Sequence, residues 1–307
     1  MLRGMGKSRL ARRAFVVMGC RALLGAGLLA VARPNAARGR PSDPHVFTGQ
    51  DILDRLLGLA RERAWKDLAI GERMGAIGMA LRRTPYAVDS LELHEDREVC
   101  SVNLGGMDCV TFYENALALA RLLGRGGGDS HALVAEVSFA RYRGGRLADY
   151  ASRLHYTSDW FFDNEAKGVV RQITRELPGA VRFAKRVDYM STHPEAYRQL
   201  RANPDLVARI ALIEAQINSR EMAYVPRERV AQAQSRLMTG DIIGITTARA
   251  GLDCAHTGLC YRHEGVSRFL HASTTEKAVI LDQDLATYLA SVPSHTGIMV
   301  ARPLEVT

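Results

Sequence analysis

Aromatic side chains are scarce in this 307-residue chain, at 7%, with only two tryptophans. Outside residues 14–32, no apolar run approaches the roughly 20 residues that a membrane span requires, which excludes a polytopic membrane protein. The balance of 47% hydrophobic and 24% charged residues equally excludes a fibrous or disordered chain. There are no internal repeats and no low-complexity tract beyond the glycines at 126–128, so solenoid and propeller architectures fall away. Neither a CxxC nor an HxxxH spacing occurs among the five cysteines and nine histidines. Acidic residues are missing altogether from residues 1–40, which hold nine of the 41 Lys and Arg. The remaining 32 basic residues face 33 acidic ones, so residues 41–307 carry a net charge of −1. The overall +8 therefore gives no ground for a nucleic-acid partner; the basicity belongs to the leader.

That leader reads as an export signal. Residues 1–13 are positively charged, residues 14–32 are apolar except for Arg21, and Ala30-Val31-Ala32 has the small-x-small form of a cleavage site. Arg12-Arg13-Ala14-Phe15-Val16 also resembles a twin-arginine signal. An uncleaved anchor helix is the alternative, weakened by the cost of Arg21 inside a bilayer. The expectation is a cleaved N-terminal signal and a mature protein in the periplasm or another extracytoplasmic compartment, without a stable membrane span.

Beyond the linker at 38–44, Thr48-x-x-Asp51 reads as a helix start and Asp67 to Arg82 as a second helix that stops before Thr84-Pro85. Residues 107–123 carry the clearest helical pattern, punctuated by Gly105-Gly106 before and a glycine-rich stretch after. Val134 to Arg141 alternates as a strand would, and residues 145 to about 235 read as a helical insertion. From Gly240 the texture changes to short strands at 242–246, 255–262, 267–272, 278–281 and 297–301. Helices first and a meander of strands afterwards predict an α+β fold, with one domain over residues 45–305.

Cys109 is the first candidate for chemistry. A cysteine in the first turn of a helix meets the positive end of the helix dipole and unpaired amide donors, both of which favour thiolate. A small packed side chain is the competing reading of that segment alone. A nucleophilic sulfur needs a base, and His256 stands in Asp253-Cys254-Ala255-His256-Thr257-Gly258-Leu259-Cys260. Strand alternation places Cys254, His256, Gly258 and Cys260 on one face. His271 follows on the next strand, where it can orient the first imidazole as the third member of a triad does. A zinc site built from Cys254, His256, Cys260 and His263 competes for the same residues, but His263 lies on the other strand face. Asp108 is placed to cap the helix or to touch substrate. His155, Tyr156 and Trp160 form an aromatic cluster that either stacks on a sugar or packs in the core. Arg141 to Arg146 reads as a solvated turn or an anion grip. Reserving Cys109 leaves Cys100, Cys254 and Cys260 in the mature chain, enough for at most one disulfide.

Taken together, Gly-Gly-Met-Asp-Cys109-Val-Thr-Phe, Gly240-Asp241-Ile-Ile, His256-Thr-Gly-Leu-Cys-Tyr and Phe-Leu-His271-Ala-Ser resemble the NlpC/P60 superfamily of papain-like cell-wall hydrolases. Thr84-Pro85-Tyr86, the segment from Asp108 to Asn115, that from Arg153 to Trp160, and Thr296 to Val300 resemble its N-acetylmuramoyl-L-alanine amidase-like branch. The resemblance implies a papain-like fold with the nucleophile helix packed on an antiparallel sheet. It implies Cys109 as nucleophile, His256 as base and His271 as orienting residue, with Asp108, His155, Tyr156 and Trp160 as candidate substrate contacts. It further implies hydrolysis of the amide between N-acetylmuramic acid and L-alanine in peptidoglycan fragments, without metal or cofactor. Two rivals remain: a γ-D-glutamyl-diamino acid endopeptidase and a catalytically inactive peptidoglycan-binding module.

Overall fold

The computed structural model describes residues 45–306. The leader expectation falls on residues 1–40 and so lies outside the described residues. No helix among them is long and apolar enough to cross a membrane.

The described chain opens with β1 (His45–Thr48), α1 (Gln50–Glu62) and α2 (Ile70–Ala80), then β2 (Cys100–Asn103), which pairs in parallel with β1. The first helix starts at Gln50, with Gly49 at its N-cap in a left-handed conformation (φ 101°) that suits glycine. Two long helices follow, α3 (Cys109–Gly124) and α4 (Ser130–Arg141). Residues expected as a strand thus form α4. Leu133, Val134, Val137, Ala140 and Arg141 are its buried positions, a spacing that fits 3.6 residues per turn better than two. Asp129 caps it by accepting from the Ala132 N–H at 3.0 Å.

The stretch expected as a helical insertion is mixed. It contains α5 (Thr157–Ala166), β3 (Val170–Gln172), β4 (Val181–Arg182), α6 (Tyr189–Thr192), α7 (Arg198–Ala202), α8 (Pro204–Asn218), β5 (Ala223–Pro226) and α9 (Val230–Ala233). Its strands are two to four residues long, too short to leave a period in the sequence. Then come β6 (Ile242–Thr247), β7 (Cys254–His263), β8 (Val266–Ser273), β9 (Ala278–Asp284), α10 (Leu285–Ser291) and β10 (His295–Pro303). The main sheet has eight strands in the order β4-β5-β10-β6-β7-β8-β9, with β3 also on β10, and all its pairings are antiparallel. The fold is α+β.

Alternation along the strands feeds two apolar layers. Ile242, Leu259 and Leu270 pack with the long helices, while Ile243, Ile245, Cys260 and Phe269 pack with Val230, Leu285 and Leu289. Helix α3 is buried on nearly every side, from Thr111 to Leu123, as a helix through the middle of a core must be. Its one acidic residue is consequently cut off from water. Glu114, 1% exposed, accepts from Arg141 Nε at 2.7 Å and from Trp160 Nε1 at 3.0 Å. Arg141 Nη1 also donates to the Ser101 carbonyl at 2.6 Å. One carboxylate thereby ties α3 to α4, α5 and β2. Removing one member of a buried ion pair strands the other charge, so Glu114→Gln is expected to cost about 3–5 kcal/mol of stability. Urea unfolding followed by tryptophan fluorescence would measure it, and a loss below about 1 kcal/mol would mean that the pair does not hold the helix.

Candidate active site

The start of α3 is built around Asp108. Its Oδ1 accepts from the Val110 and Thr111 N–H groups at 2.9 and 2.7 Å, and its own N–H donates to Thr111 Oγ1 at 2.9 Å, closing a capping box. Ser90 Oγ donates to the other carboxylate oxygen at 2.6 Å. The cap sets the helix to begin at Cys109, whose side chain lines a cleft of about 850 Å³.

His256 and His271 line the same cleft. Strands β7 and β8 bring His256 Nε2 to 2.7 Å from His271 Nδ1, and His271 Nε2 lies 3.2 Å from Asp282 Oδ2 on β9. The carboxylate fixes the direction of this chain. Asp282 accepts from His271 Nε2–H, which leaves His271 Nδ1 as an acceptor for His256 Nε2–H. His256 then keeps Nδ1 free of a proton and able to accept one. Gly258 makes the approach possible. A Cβ there would sit 2.8 Å from the His271 Cβ and 2.7 Å from the Phe269 ring.

A bulge at Ala255 separates residues expected on one strand face. Ile245 pairs with His256 but Thr246 pairs with Cys254, so one extra residue lies between them on β7. Cys254 turns toward Gly244 and the apolar layer under the long helices, whereas Cys260 packs in the opposite layer. The four residues of the zinc reading therefore do not converge, and among the described residues no three or more His, Cys, Asp or Glu side chains are placed to hold a metal ion together. Cys100, Cys109, Cys254 and Cys260 are all free thiols.

Burial works against the thiolate expectation. Burial pushes the Cys109 thiol up to about 11, and the adjacent Asp108 carboxylate adds to the rise. The opposing influences come from the Thr257 hydroxyl and backbone and from the Cys109 backbone, all near the sulfur; in the resting arrangement the Thr257 hydroxyl gives its proton to the Cys109 carbonyl at 2.9 Å. Burial, then the neighbouring His271 and His295, push His256 down to about 3. The helix dipole is worth about 1 kcal/mol or less at most termini and cannot offset this desolvation. Near neutral pH the pair rests as thiol and neutral imidazole.

Of the other sequence candidates, Asp108 is committed to the cap, and His155 lines a separate cavity of about 240 Å³ that Asp108 also lines. His155 Nε2 lies 2.7 Å from the Tyr150 carbonyl oxygen. Tyr156 and Trp160 are corrected to core residues, 3% and 1% exposed. The first donates to Glu214 at 2.6 Å, and the second meets Tyr113 edge-on besides binding Glu114. Arg143, expected in a solvated turn or anion grip, pairs with the buried Asp159. Sequence reasoning missed Asp282, which lies one residue past the strand read at 278–281, and it missed the part that Thr257 plays. Tyr288 and His295 also line the cleft and escaped notice.

A family model described as AmiA-like, N-acetylmuramoyl-L-alanine amidase-like, matches residues 76–298. A solved structure of an N-acetylmuramoyl-L-alanine amidase from Bacteroides uniformis is 32% identical, with a TM-score of 0.70, covering 76% of this chain and 99% of its own. A Bacteroides fragilis structure carrying a provisional xylanase label is 33% identical, with a TM-score of 0.67, covering 74% and 99%. A Legionella pneumophila protein of family DUF1460, 20% identical with a TM-score of 0.61, covers 83% of this chain and 93% of its own and shares the fold. No curated protein matches the sequence. These matches correct the resemblance to NlpC/P60. The motifs that suggested it are short segments around one cysteine and two histidines, whereas the matching family is a distinct one and spans the helices and strands between them.

Alkylation reads the state of the sulfur directly. A thiol held near 11 predicts that iodoacetamide labels Cys109 slowly at pH 7, accelerating about tenfold per pH unit up to pH 10. A thiolate–imidazolium pair would instead label rapidly, at a rate independent of pH above 6. Thr257→Val, which removes a hydrogen bond that favours the thiolate, is expected to move the labelling curve to still higher pH.

Proposed function

The chain belongs to the N-acetylmuramoyl-L-alanine amidase-like family, and from that premise we propose that it is a cysteine amidase acting on peptidoglycan fragments outside the cytoplasm. The observation that carries the reading is the cleft itself, where Cys109 shares a wall with the His256–His271–Asp282 chain. The ordering of nucleophile helix and histidine-bearing antiparallel strands is papain-like in this proposal. The basic, apolar leader supplies export.

In the proposed reaction Cys109 attacks the lactyl carbonyl of N-acetylmuramic acid while its proton passes to Nδ1 of His256. The transfer accompanies attack because neither group is charged at rest. The Cys109 backbone N–H, in the first turn and outside the helical ladder, supports the oxyanion. The Asp108 N–H is already given to Thr111. His256, now an imidazolium stabilised through His271 by Asp282, returns the proton to the departing L-alanine nitrogen. The peptide leaves and a thioester remains. Water, deprotonated by His256, then clears the thioester to a lactyl carboxylate and restores the thiol. His271 and Asp282 act as positioning residues through His256.

Glycoside hydrolysis, which the Bacteroides fragilis label brings to mind, requires two carboxyl groups flanking the scissile bond. This cleft offers Glu276 and Asp282, and Asp282 is engaged by His271. The residues present suit acyl transfer.

Mass spectrometry of a disaccharide-tetrapeptide incubated with the protein is expected to show free tetrapeptide and free disaccharide, with neither product from Cys109→Ala. Asp282→Asn should lower kcat at least about tenfold with little change in KM, through loss of the imidazole tautomer. A cut within the peptide would identify a γ-D-glutamyl endopeptidase, and binding without turnover would identify an inactive binding module.

A further inference from the structure

The cleft holds two arginines that the reaction does not use. Arg82 and Arg268 both line it beside Cys109, His256 and His271. Neither side chain has a hydrogen-bond or ion-pair partner among the described residues, whereas other arginines near the helix core are tied down: Arg73 to four carbonyls, Arg121 to Glu136, and Arg153 to Glu92 and Glu98. Arg268 is half-buried within β8 and still unpaired. Its cross-strand neighbour Asp284 is spent on capping α10, accepting from the Thr287 N–H at 3.2 Å.

The backbone places both residues at the cleft, Arg82 exposed and Arg268 half-buried. Arg82 lies just past the Leu81 C-cap of α2, and the next residue, Arg83, adopts a left-handed conformation (φ 69°) with its N–H donated to the Val279 carbonyl at 2.8 Å. A non-glycine residue in that region is strained and persists only where its surroundings enforce it. Arg268 lies where the β8–β9 register shifts, the irregularity that also sets the position of Asp282. One arginine thus comes from the helix side and one from the strand side of a single cleft. Of the cleft's two acidic residues, Asp282 is engaged by His271, which leaves Glu276 against two guanidinium groups.

Resting on the amidase reading, we infer that Arg82 and Arg268 form a carboxylate clamp selecting muramyl peptides whose stem keeps its free carboxylates over stems in which these are carboxamides. Guanidinium binds carboxylate through paired, charge-assisted hydrogen bonds, and a neutral amide cannot replace it. A stem of two extended residues beyond the scissile amide spans about 7 Å, and both arginines line the same cleft as Cys109.

The test uses N-acetylmuramoyl-L-alanyl-D-glutamate with both carboxylates free and the same compound with both converted to carboxamides. Calorimetry with Cys109→Ala, which isolates binding from turnover, is expected to show the diacid binding at least about tenfold more tightly. Adding Arg82→Ala and Arg268→Ala should close that gap by weakening the diacid while leaving the diamide unchanged, with circular dichroism confirming the fold. Equal binding of the two compounds by Cys109→Ala would overturn the clamp, as would a gap that persists without the arginines. Hydrolysis by the unsubstituted enzyme is followed in parallel. If neither compound is cleaved but the binding gap still follows the arginines, the clamp stands and the amidase reading falls.

Discussion

A carboxylate without water sits in the middle of this fold. Glu114 is tolerable on a helix buried on all sides only because Arg141 and Trp160 satisfy both of its oxygens. That requirement fixes α3 against α4, α5 and β2, and so fixes where α3 begins. The capping box at Asp108 then sets Cys109 at the first turn of a helix that cannot shift without exposing an unpaired charge. Precision at the cleft is inherited from the core.

The opposite wall achieves its order through hydrogen bonds in series. Three side chains on three successive strands, β7, β8 and β9, pass direction from an acidic residue to an imidazole nitrogen. Neutrality at rest has a clear advantage in a buried site. A thiolate and an imidazolium would each pay desolvation before substrate arrived, whereas neutral groups would meet that cost only as charge developed in the proposed reaction.

Much of this was legible in the sequence, for identifiable reasons. Glycines bracket α3 and an apolar run fills it, so the helix and the position of Cys109 at its start could be read. The strands from 242 onward carry enough alternation for His256 and His271 to be placed on neighbours. Residues 134–141 satisfy both a period of two and one of 3.6, and only burial of Leu133 and Arg141 decides for the helix. The bulge at Ala255 carries no glycine or proline to announce it, so Cys254 was placed on the wrong face. Asp282 lies just past the strand read at 278–281, which in fact continues to Asp284. The sulfur's resting state escaped because a helix dipole can be inferred locally, while desolvation depends on everything packed around the site. Short motifs around Cys109, His256 and His271 pointed to the wrong family because the intervening scaffold, not the motifs, distinguishes it.

The last member of the histidine chain stands on the outermost strand of the sheet. β9 has β8 as its one full strand partner, with isolated contacts to Arg83, Thr84 and Pro85 at the start of its other side. Sheet margins open at lower free energy than sheet centres. Warming would therefore release Asp282 while the helical core remained intact, and the imidazole direction would scramble in a molecule that still looked folded by circular dichroism. Under the proposed mechanism, such a molecule would fall silent before it melts and recover on cooling without having to refold.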